Sequence, residues 1–343
     1  MYKTELATRE ELQNWNQIVS RCPYSEALHT LEWYDALTKS FKQMKPLYFV
    51  IKDSQEDIVG TMPCFLFSPI PLSRTLLSMP WTLPGGLLSF PETDITFLAL
   101  SALRKLDDVS RERHASEITI TLSAHCDENI INSLNSNGYV QQTRQFTHIL
   151  NLENGYDSVW TAYNKRVRGA VRKAEKEGVI VQESEDEEDM ACFYKMYLAM
   201  MSNFNSTPKP YSLLKYLQTS SIARMVVAKL DDRIIGGLLF LYFNSCVRLW
   251  CETSDPNFLG YRTNNAIINY IVKWSCDNGY RFVDFGSSPS NNEGLVAFKE
   301  EWGATKAWFS TFTKVYSPWR KKLWTTSEPS VRRIYAAIQH FRL

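Results

Sequence analysis

Apolar and polar positions along this chain fall into one arrangement that occurs twice. Residues 47–67 and 224–243 each run from an apolar strand through an acidic turn into a second apolar strand with a glycine near its start. The matching glycines, Gly60 and Gly236, stand 176 residues apart. A second pair follows. Residues 135–152 and 299–316 both pass from a glycine-ended segment into a long strand, with Gly138 and Gly303 165 residues apart. Spacings this close are those of one duplicated unit with drift in loop length. Two similar lobes are therefore expected, with a seam between them of the kind that favours ligands. Two unrelated domains that each contain a hairpin are the alternative.

Elsewhere the period lengthens to that of helices. Segments 10–22 and 28–41 read as helices, the second with Leu28, Leu31, Tyr34 and Leu37 on one stripe. Residues 72–90 read as a strand broken by Pro80 and Pro84, 95–107 as a helix, 117–123 as an alternating strand, and 129–137 as a helix ended by Gly138. The second half opens with a single helix over 157–177, apolar at Trp160, Tyr163, Val167, Val171 and Ala174, with Asp157 as N-cap and Gly178 as its stop. Ser184 and Glu187 make a capping-box pattern for a helix to about residue 203. After the Pro208-Lys209-Pro210 loop come a short helix, the second hairpin, a strand at 246–253, a helix at 262–278, a strand at 282–285 and a helix at 295–302. Each lobe thus reads helix, hairpin, strand, helix, strand, helix, strand, which predicts an α+β fold of mixed sheets layered with helices. The expected divisions are a first lobe over 1–152, a second over 153–317, and a basic amphipathic helix over 318–343.

Composition narrows the partners. At 343 residues, 44% apolar and 22% charged, the chain has the make-up of a folded soluble protein of about two domains. Its 38 basic and 37 acidic residues leave a formal charge of +1, so any contact with nucleic acid or membrane must be local. The seven cysteines are scattered without a CxxC pair, as suits reduced thiols, and the five histidines form no HExxH or HxH pattern, so no metal site is expected. The first fifteen residues lack a signal-like apolar core, and the longest apolar run, 234–243, is too short to span a bilayer. Cytoplasmic residence is the expectation.

Several residues carry candidate chemistry. Segment 164–178 holds Lys165, Arg166, Arg168, Arg172, Lys173 and Lys176 against only Glu175 and Glu177. Such a stripe suits phosphates of a nucleotide, a coenzyme or an RNA backbone, or else a solvated face paired with the acidic run 183–189. The tail combines Arg320, Lys321, Lys322, Arg332 and Arg333 with Trp319 and Trp324, and reads either as a docking helix or as a peripheral contact with an anionic membrane. Asp284 ends a strand, where open sheets place ligands. A loop of small residues, 286–294, follows it and leads to Lys299, a cation suited to a phosphate or to an oxyanion developing at a carbonyl. Asp284-Phe285-Gly286 and Val227-Ala228-Lys229 look like fragments of a kinase set, but no HRD, glycine-rich loop or GxxxxGK[ST] accompanies them.

Taken together, the chain resembles the FemABX family of aminoacyl transferases within the GNAT-like N-acyltransferases. The resemblance rests on His29-Thr30-Leu31-Glu32-Trp33, on the basic helix 164–179, on the hairpin 227–238 and on Tyr261-Arg262-Thr263-Asn264-Asn265-Ala266. Most specific are Val283-Asp284-Phe285-Gly286 and the stretch 294–303, GLVAFKEEWG. It implies two tandem GNAT-like lobes and transfer of an acyl group, often an amino acid from its tRNA, to an amine of a cell-wall precursor. In that light Lys299 acts at the reaction centre, with Asp284 or Glu252 helping to remove a proton. Lys165, Arg168, Arg172, Lys209 and Arg262 would meet phosphates, and Trp33, Tyr211 and Tyr261 would line the substrate site.

Two departures stand out. The lysine that some members carry after the early tryptophan is replaced by Tyr34-Asp35-Ala36, and Leu122-Ser123-Ala124 lacks an aspartate expected at a strand end. Coenzyme A users carry [QR]xxGx[GA] before their pyrophosphate-binding helix, whereas segment 257–262 keeps only Gly260. The resemblance therefore implies aminoacyl-tRNA ahead of acyl-CoA as donor, no tightly bound cofactor, and an acceptor that is nucleotide- or lipid-linked. A CoA-dependent acetyltransferase of a small amine or sugar, and a non-catalytic relative that binds an envelope precursor or RNA, are the alternatives.

Overall fold

A hydrophobic alternation that reverses at each turn builds the chain into helices laid on twisted sheets. The computed structural model describes residues 2–289 and 291–341, so Ser290 in the small-residue loop lies outside the described residues. The chain divides into one unit of Met1–Phe146 with Ala307–Pro329 and another of Thr147–Lys306 with Ser330–Leu343. The strictly sequential division at 152 and 317 differs from this. Strand 305–315 follows the second lobe in sequence, yet its Thr311–Val315 part pairs antiparallel with Glu117–Thr121 and buries Phe312 in the first unit's core. The tail helix is likewise shared out, with 318–329 in the first unit.

The first unit begins β1 (Lys3–Leu6), α1 (Arg9–Gln13), α2 (Trp15–Ser20), α3 (Leu31–Ser40), β2 (Met44–Leu47), β3 (Phe49–Lys52), β4 (Ile58–Thr61) and β5 (Cys64–Ile70). It continues β6 (Ser73–Leu77), β7 (Leu88–Ser89), α4 (Ile95–Glu112), β8 (Glu117–Thr121) and α5 (Glu128–Ser136), and leads into β9 (Val140–Asn151). The helix expected over 10–22 breaks at Asn14, whose amide donates back to the Glu10 carbonyl, and Trp15 turns into the core. The first hairpin's second strand also breaks. Pro63 has no N–H for a ladder, so β4 stays with β3 in a sheet of order β1-β3-β4-β7 while β5 joins β2 and β6 in another. β6 runs parallel to β8, and α4 is the crossover between them.

The second unit holds α6 (Gly155–Ala162), α7 (Lys165–Lys176), β10 (Ile180–Glu183), α8 (Glu187–Asn203), α9 (Tyr211–Gln218), β11 (Ala223–Leu230) and β12 (Arg233–Phe243). It continues β13 (Cys246–Ser254), α10 (Thr263–Asp277), β14 (Phe282–Ser287) and α11 (Glu293–Glu300), and leads to β15 (Thr305–Val315) and α12 (Pro318–Phe341). Its strands lie in the order β10-β11-β12-β13-β14 followed by the Thr147–Asn151 end of β9. All pairs are antiparallel except β13 and β14, which are parallel and bridged by α10. One parallel pair with a helical crossover therefore recurs in each unit, as a duplication requires.

Two local expectations are overturned. The single helix over 157–177 is two, because Asn164 leaves helical geometry and its side chain caps α7 by accepting from Arg166 N at 2.9 Å. At α8 the N-cap is Asp186, which accepts from Glu188 N and Asp189 N, while the Ser184 hydroxyl bonds Asp189 instead. A carboxylate at the cap also favours the positive end of the helix dipole.

The repeated glycines have a packing reason. A Cβ on Gly60 would lie 2.6 Å from Leu98 of α4, and one on Gly236 would lie 2.7 Å from the Thr263 methyl of α10. In both units the crossover helix thus rests on bare backbone at the start of the hairpin's second strand. Neighbouring Gly237 faces the other way, where a Cβ would lie 2.9 Å from Phe193 of α8, so successive residues of β12 admit a helix on each face. Gly236→Ala should cost about 1–3 kcal/mol in urea unfolding. Combining it with Thr263→Ser, which deletes the opposing methyl, should recover part of that loss; strict additivity of the two changes would refute the contact.

Candidate functional site

The ladder between β13 and β14 is short. Cys246, Val247 and Arg248 face Phe282, Val283 and Asp284, and the pairing stops there. Beyond it β13 pairs only with β12, where Leu239 faces Cys251 but Phe240 faces Leu249, leaving Trp250 as an extra residue bulged out of β13. The bulge ends two residues before Glu252. On the other side β14 slips against β9, its pairing jumping from Asp284 opposite Ile149 to Ser287 opposite Thr147. Two parallel strands that part company leave backbone groups without ladder partners, and side chains take their place.

Lys299, from α11, fills that role for β14. It is 7% exposed, and its Nζ donates to the carbonyls of Gly286 at 2.8 Å and Ser287 at 3.3 Å. An ammonium has three donors, so one N–H remains for a ligand. Burial pushes the amine down to about 8, although the charges of Asp284 and Glu252 pull it back up. Glu252 is the counterpart. Burial pushes its carboxyl up to about 7, partly offset by Lys299, and its Oε1 has no hydrogen-bond partner among the described residues. The site therefore presents a cation with an unused donor and a carboxyl poised near neutrality with an unused acceptor.

Asp284 sits in the same place but is otherwise engaged. Its Oδ2 pairs with Arg248 at 2.8 Å, and its Oδ1 accepts from Gly286 N at 2.7 Å and from the Thr147 hydroxyl. Both side chains of the pair are almost fully buried. With both its oxygens engaged by three donors, Asp284 is a poorer candidate for proton removal, and of the two carboxyls Glu252 is the one suited to that role. His148, buried beside Thr147, is held below the usual imidazole range by burial and by the Lys299 charge.

The other sequence candidates scatter. Lys209 lies over the bulged Trp250, 4.9 Å from the ring centroid, and close to the Cys251 thiol. Its loop is fixed by α8: the Tyr194 hydroxyl donates to the Lys209 carbonyl at 2.9 Å, and Lys209 N donates to the Tyr197 hydroxyl at 3.2 Å. Half-buried Tyr211 packs edge-on against Tyr194. Tyr261 and Arg262 precede α10, Tyr261 packed against Phe258 and Arg262 exposed in a left-handed conformation at φ 62°.

On α7, Lys165 and Arg172 are exposed, with Arg172 reaching over the Trp160 ring. Arg168 is partly engaged. Its Nη1 folds back onto the carbonyls of Thr161 and Tyr163, capping the C-terminus of α6, so that nitrogen is occupied with backbone. Trp33 is a correction. It is fully buried in the first unit with its indole N–H on the Met79 sulfur at 3.1 Å, which makes it a core residue rather than a substrate contact. Sequence reasoning missed Arg248 and Thr147. A lone arginine inside the apolar strand 246–251 was the available signal, because a charge buried in a sheet needs a partner.

Among the described residues no cluster of histidine, cysteine, aspartate or glutamate is placed to hold a metal ion. No helix among them is long and apolar enough to cross a membrane.

Comparison with known proteins agrees with this geometry. Residues 162–300, which contain Arg248, Glu252, Asp284 and Lys299, match the acetyltransferase (GNAT) domain family. The chain is 20% identical over 334 residues to the UDP-N-acetylmuramoylpentapeptide-lysine N(6)-alanyltransferase of Weissella viridescens, spanning 90% of this chain and 95% of that one. Among solved structures, FemX superposes with a TM-score of 0.72 at 14% identity, over 94% of this chain and 99% of that one. A tandem GNAT protein from the clavulanic acid biosynthesis pathway gives 0.57 at 12% identity, over 92% and 98%. At these identities the solved structures establish the fold, two GNAT-like halves in one chain.

The carboxyl of Glu252 makes a test of its own. Its proton is held more tightly in the folded chain than in the unfolded one, so folding loses stability as pH rises from the unfolded value near 4.3 to about 7. Glu252→Gln should therefore raise Tm above pH 7 and leave it little changed at pH 5. A gain that is the same at both pH values would contradict the burial of this carboxyl.

Proposed function

We propose that this chain, a FemABX-type protein built of two GNAT-like lobes, transfers an aminoacyl group from a donor ester to an amine of a peptidoglycan precursor. It is an acyltransferase. The observation that carries the reading is the buried Lys299 beside Glu252 at the point where β13 and β14 part, an arrangement suited to acyl transfer without a covalent enzyme intermediate.

The step divides between the two side chains. The acceptor amine attacks the ester carbonyl, the N–C bond forms, and negative charge collects on the carbonyl oxygen. The free N–H of Lys299 meets that charge, and Glu252 takes the proton shed by nitrogen. Collapse breaks the ester C–O bond, and the leaving hydroxyl recovers a proton. A buried ammonium is worth more here than an exposed one, since no water competes for the oxyanion. Lys209 at the Trp250 bulge, with Lys165, Arg172 and Arg262, supplies cations for substrate phosphates.

The GNAT fold implies an acyl donor, and the reading extends this to a charged tRNA. Arg262 occupies the place where coenzyme A users keep a small residue, and the exposed cations of α7 suit an RNA backbone. The acceptor follows the alanyltransferase relative, an amine on a cell-wall precursor.

Lys299→Met should lower kcat at least ~100-fold while the fold persists, the relief of a buried charge being set against two carbonyls left without their donor; normal turnover would end the proposed role. For the unaltered enzyme kcat/KM should rise as Glu252 ionises near pH 7 and fall as Lys299 loses its proton near pH 8. A profile flat across pH 6–9 would count against the pair. As for the donor, aminoacyl-tRNA should raise Tm in proportion to its concentration over Kd, while acyl-CoA leaves it unmoved. The reverse would assign a CoA-dependent acyltransferase, and silence with both would favour a binding protein without catalysis.

A further inference from the structure

The Arg248–Asp284 pair needs an explanation that stability does not provide. Removing two charges from water costs as much as their attraction returns, so a buried ion pair is weak evidence for stabilisation. What the pair does is visible one bond further on. Asp284 Oδ1 accepts from Gly286 N, an Asx-type turn, and Gly286 adopts φ 74°, the left-handed region that glycine enters freely. The carbonyl of that same glycine then receives the Lys299 ammonium at 2.8 Å. Arg248 fixes the other carboxylate oxygen, and the Thr147 hydroxyl joins the first. A chain of contacts therefore runs from β13 through β14 to α11.

We propose that Arg248 and Asp284 are positioning residues that aim Lys299 through the peptide of Gly286. The inference rests on the reading of Lys299 as the group that meets the developing oxyanion. It assigns Asp284 a role without direct contact with substrate, and it explains why the carboxylate next to the reaction centre is the one with both oxygens engaged. Orientation matters at this point because a displacement of about 1 Å in a catalytic group is enough to cost on the order of 100-fold in rate. Lys299 is faced by Asp284 from β14, Glu252 from β13 and His148 from β9, so its proton affinity reports on the placement of all three.

The test reads Lys299 directly. Competitive labelling with acetic anhydride across pH, followed by mass spectrometry of the peptide containing Lys299, gives the titration midpoint of that amine whether or not the protein turns over. Asp284→Asn keeps the size of the side chain and removes the charge; the midpoint should fall by about one pH unit, and the alkaline limb of kcat/KM should move with it. Gly286→Ala keeps the charge but strains the left-handed peptide; kcat should fall about tenfold or more with KM nearly constant. Thr147→Val, the mildest change, should shift the midpoint in the same direction by less, which covers the case in which Asp284→Asn does not fold. If the folded variants keep the native midpoint and lose only Tm, the pair is a scaffold and the proposal fails. A midpoint that moves in Asp284→Asn but stays native in Thr147→Val reports only the lost charge and also overturns the relay; if it moves in Thr147→Val, which keeps that charge, while transfer is indifferent, the relay holds and the assigned role of Lys299 is what falls.

Discussion

Keeping one ammonium out of water is the constraint around which the second unit is arranged. Lys299 is buried, and a buried cation survives only where acceptors are waiting for it. The carbonyls of Gly286 and Ser287 are those acceptors, and they are free because β14 has left its parallel neighbour after three residue pairs. Strand divergence and lysine burial are thus two aspects of one feature. Had β13 and β14 stayed paired to their ends, those carbonyls would be in a ladder and the amine would have no place to dock.

The same divergence explains why Glu252 can be perturbed without being ion-paired. It lies on β13 past the last rung shared with β14, where burial removes water but no donor replaces it. Coulomb attraction to Lys299 only partly offsets that loss. Such an acid and base with values drawn toward one another near neutrality is the condition under which proton transfer is most effective. Asp284, on β14, has the opposite fate, since three donors engage its two oxygens.

Much of the architecture could be read from residue order. The second hairpin, the glycines of both hairpins and the strand that carries Asp284 lie where periodicity put them, because local burial decides those elements. The failures share a cause, which is that a third element supplies the partner. Trp33 sits on an amphipathic helix and looks available until the Met79 segment covers it. Arg168 looks wholly available until the break at Asn164 brings the end of α6 within its reach. Strand 305–315 looks like the close of the second lobe until β8 claims it. The site itself was legible through Lys299, Glu252 and Asp284; Arg248 acquires meaning from a residue 36 positions away.

Trp250 carries one more implication. Side chains of a strand take turns on its two faces and paired residues share one, so the supernumerary residue in β13 lets Leu249 and Cys251, two apart in sequence, match Phe240 and Leu239 on opposite faces. Excising that one residue would leave Glu252 opposite Leu238 on the same face, but it would close the gap in the ladder from which the indole leaves the sheet and so take away the ring beneath Lys209.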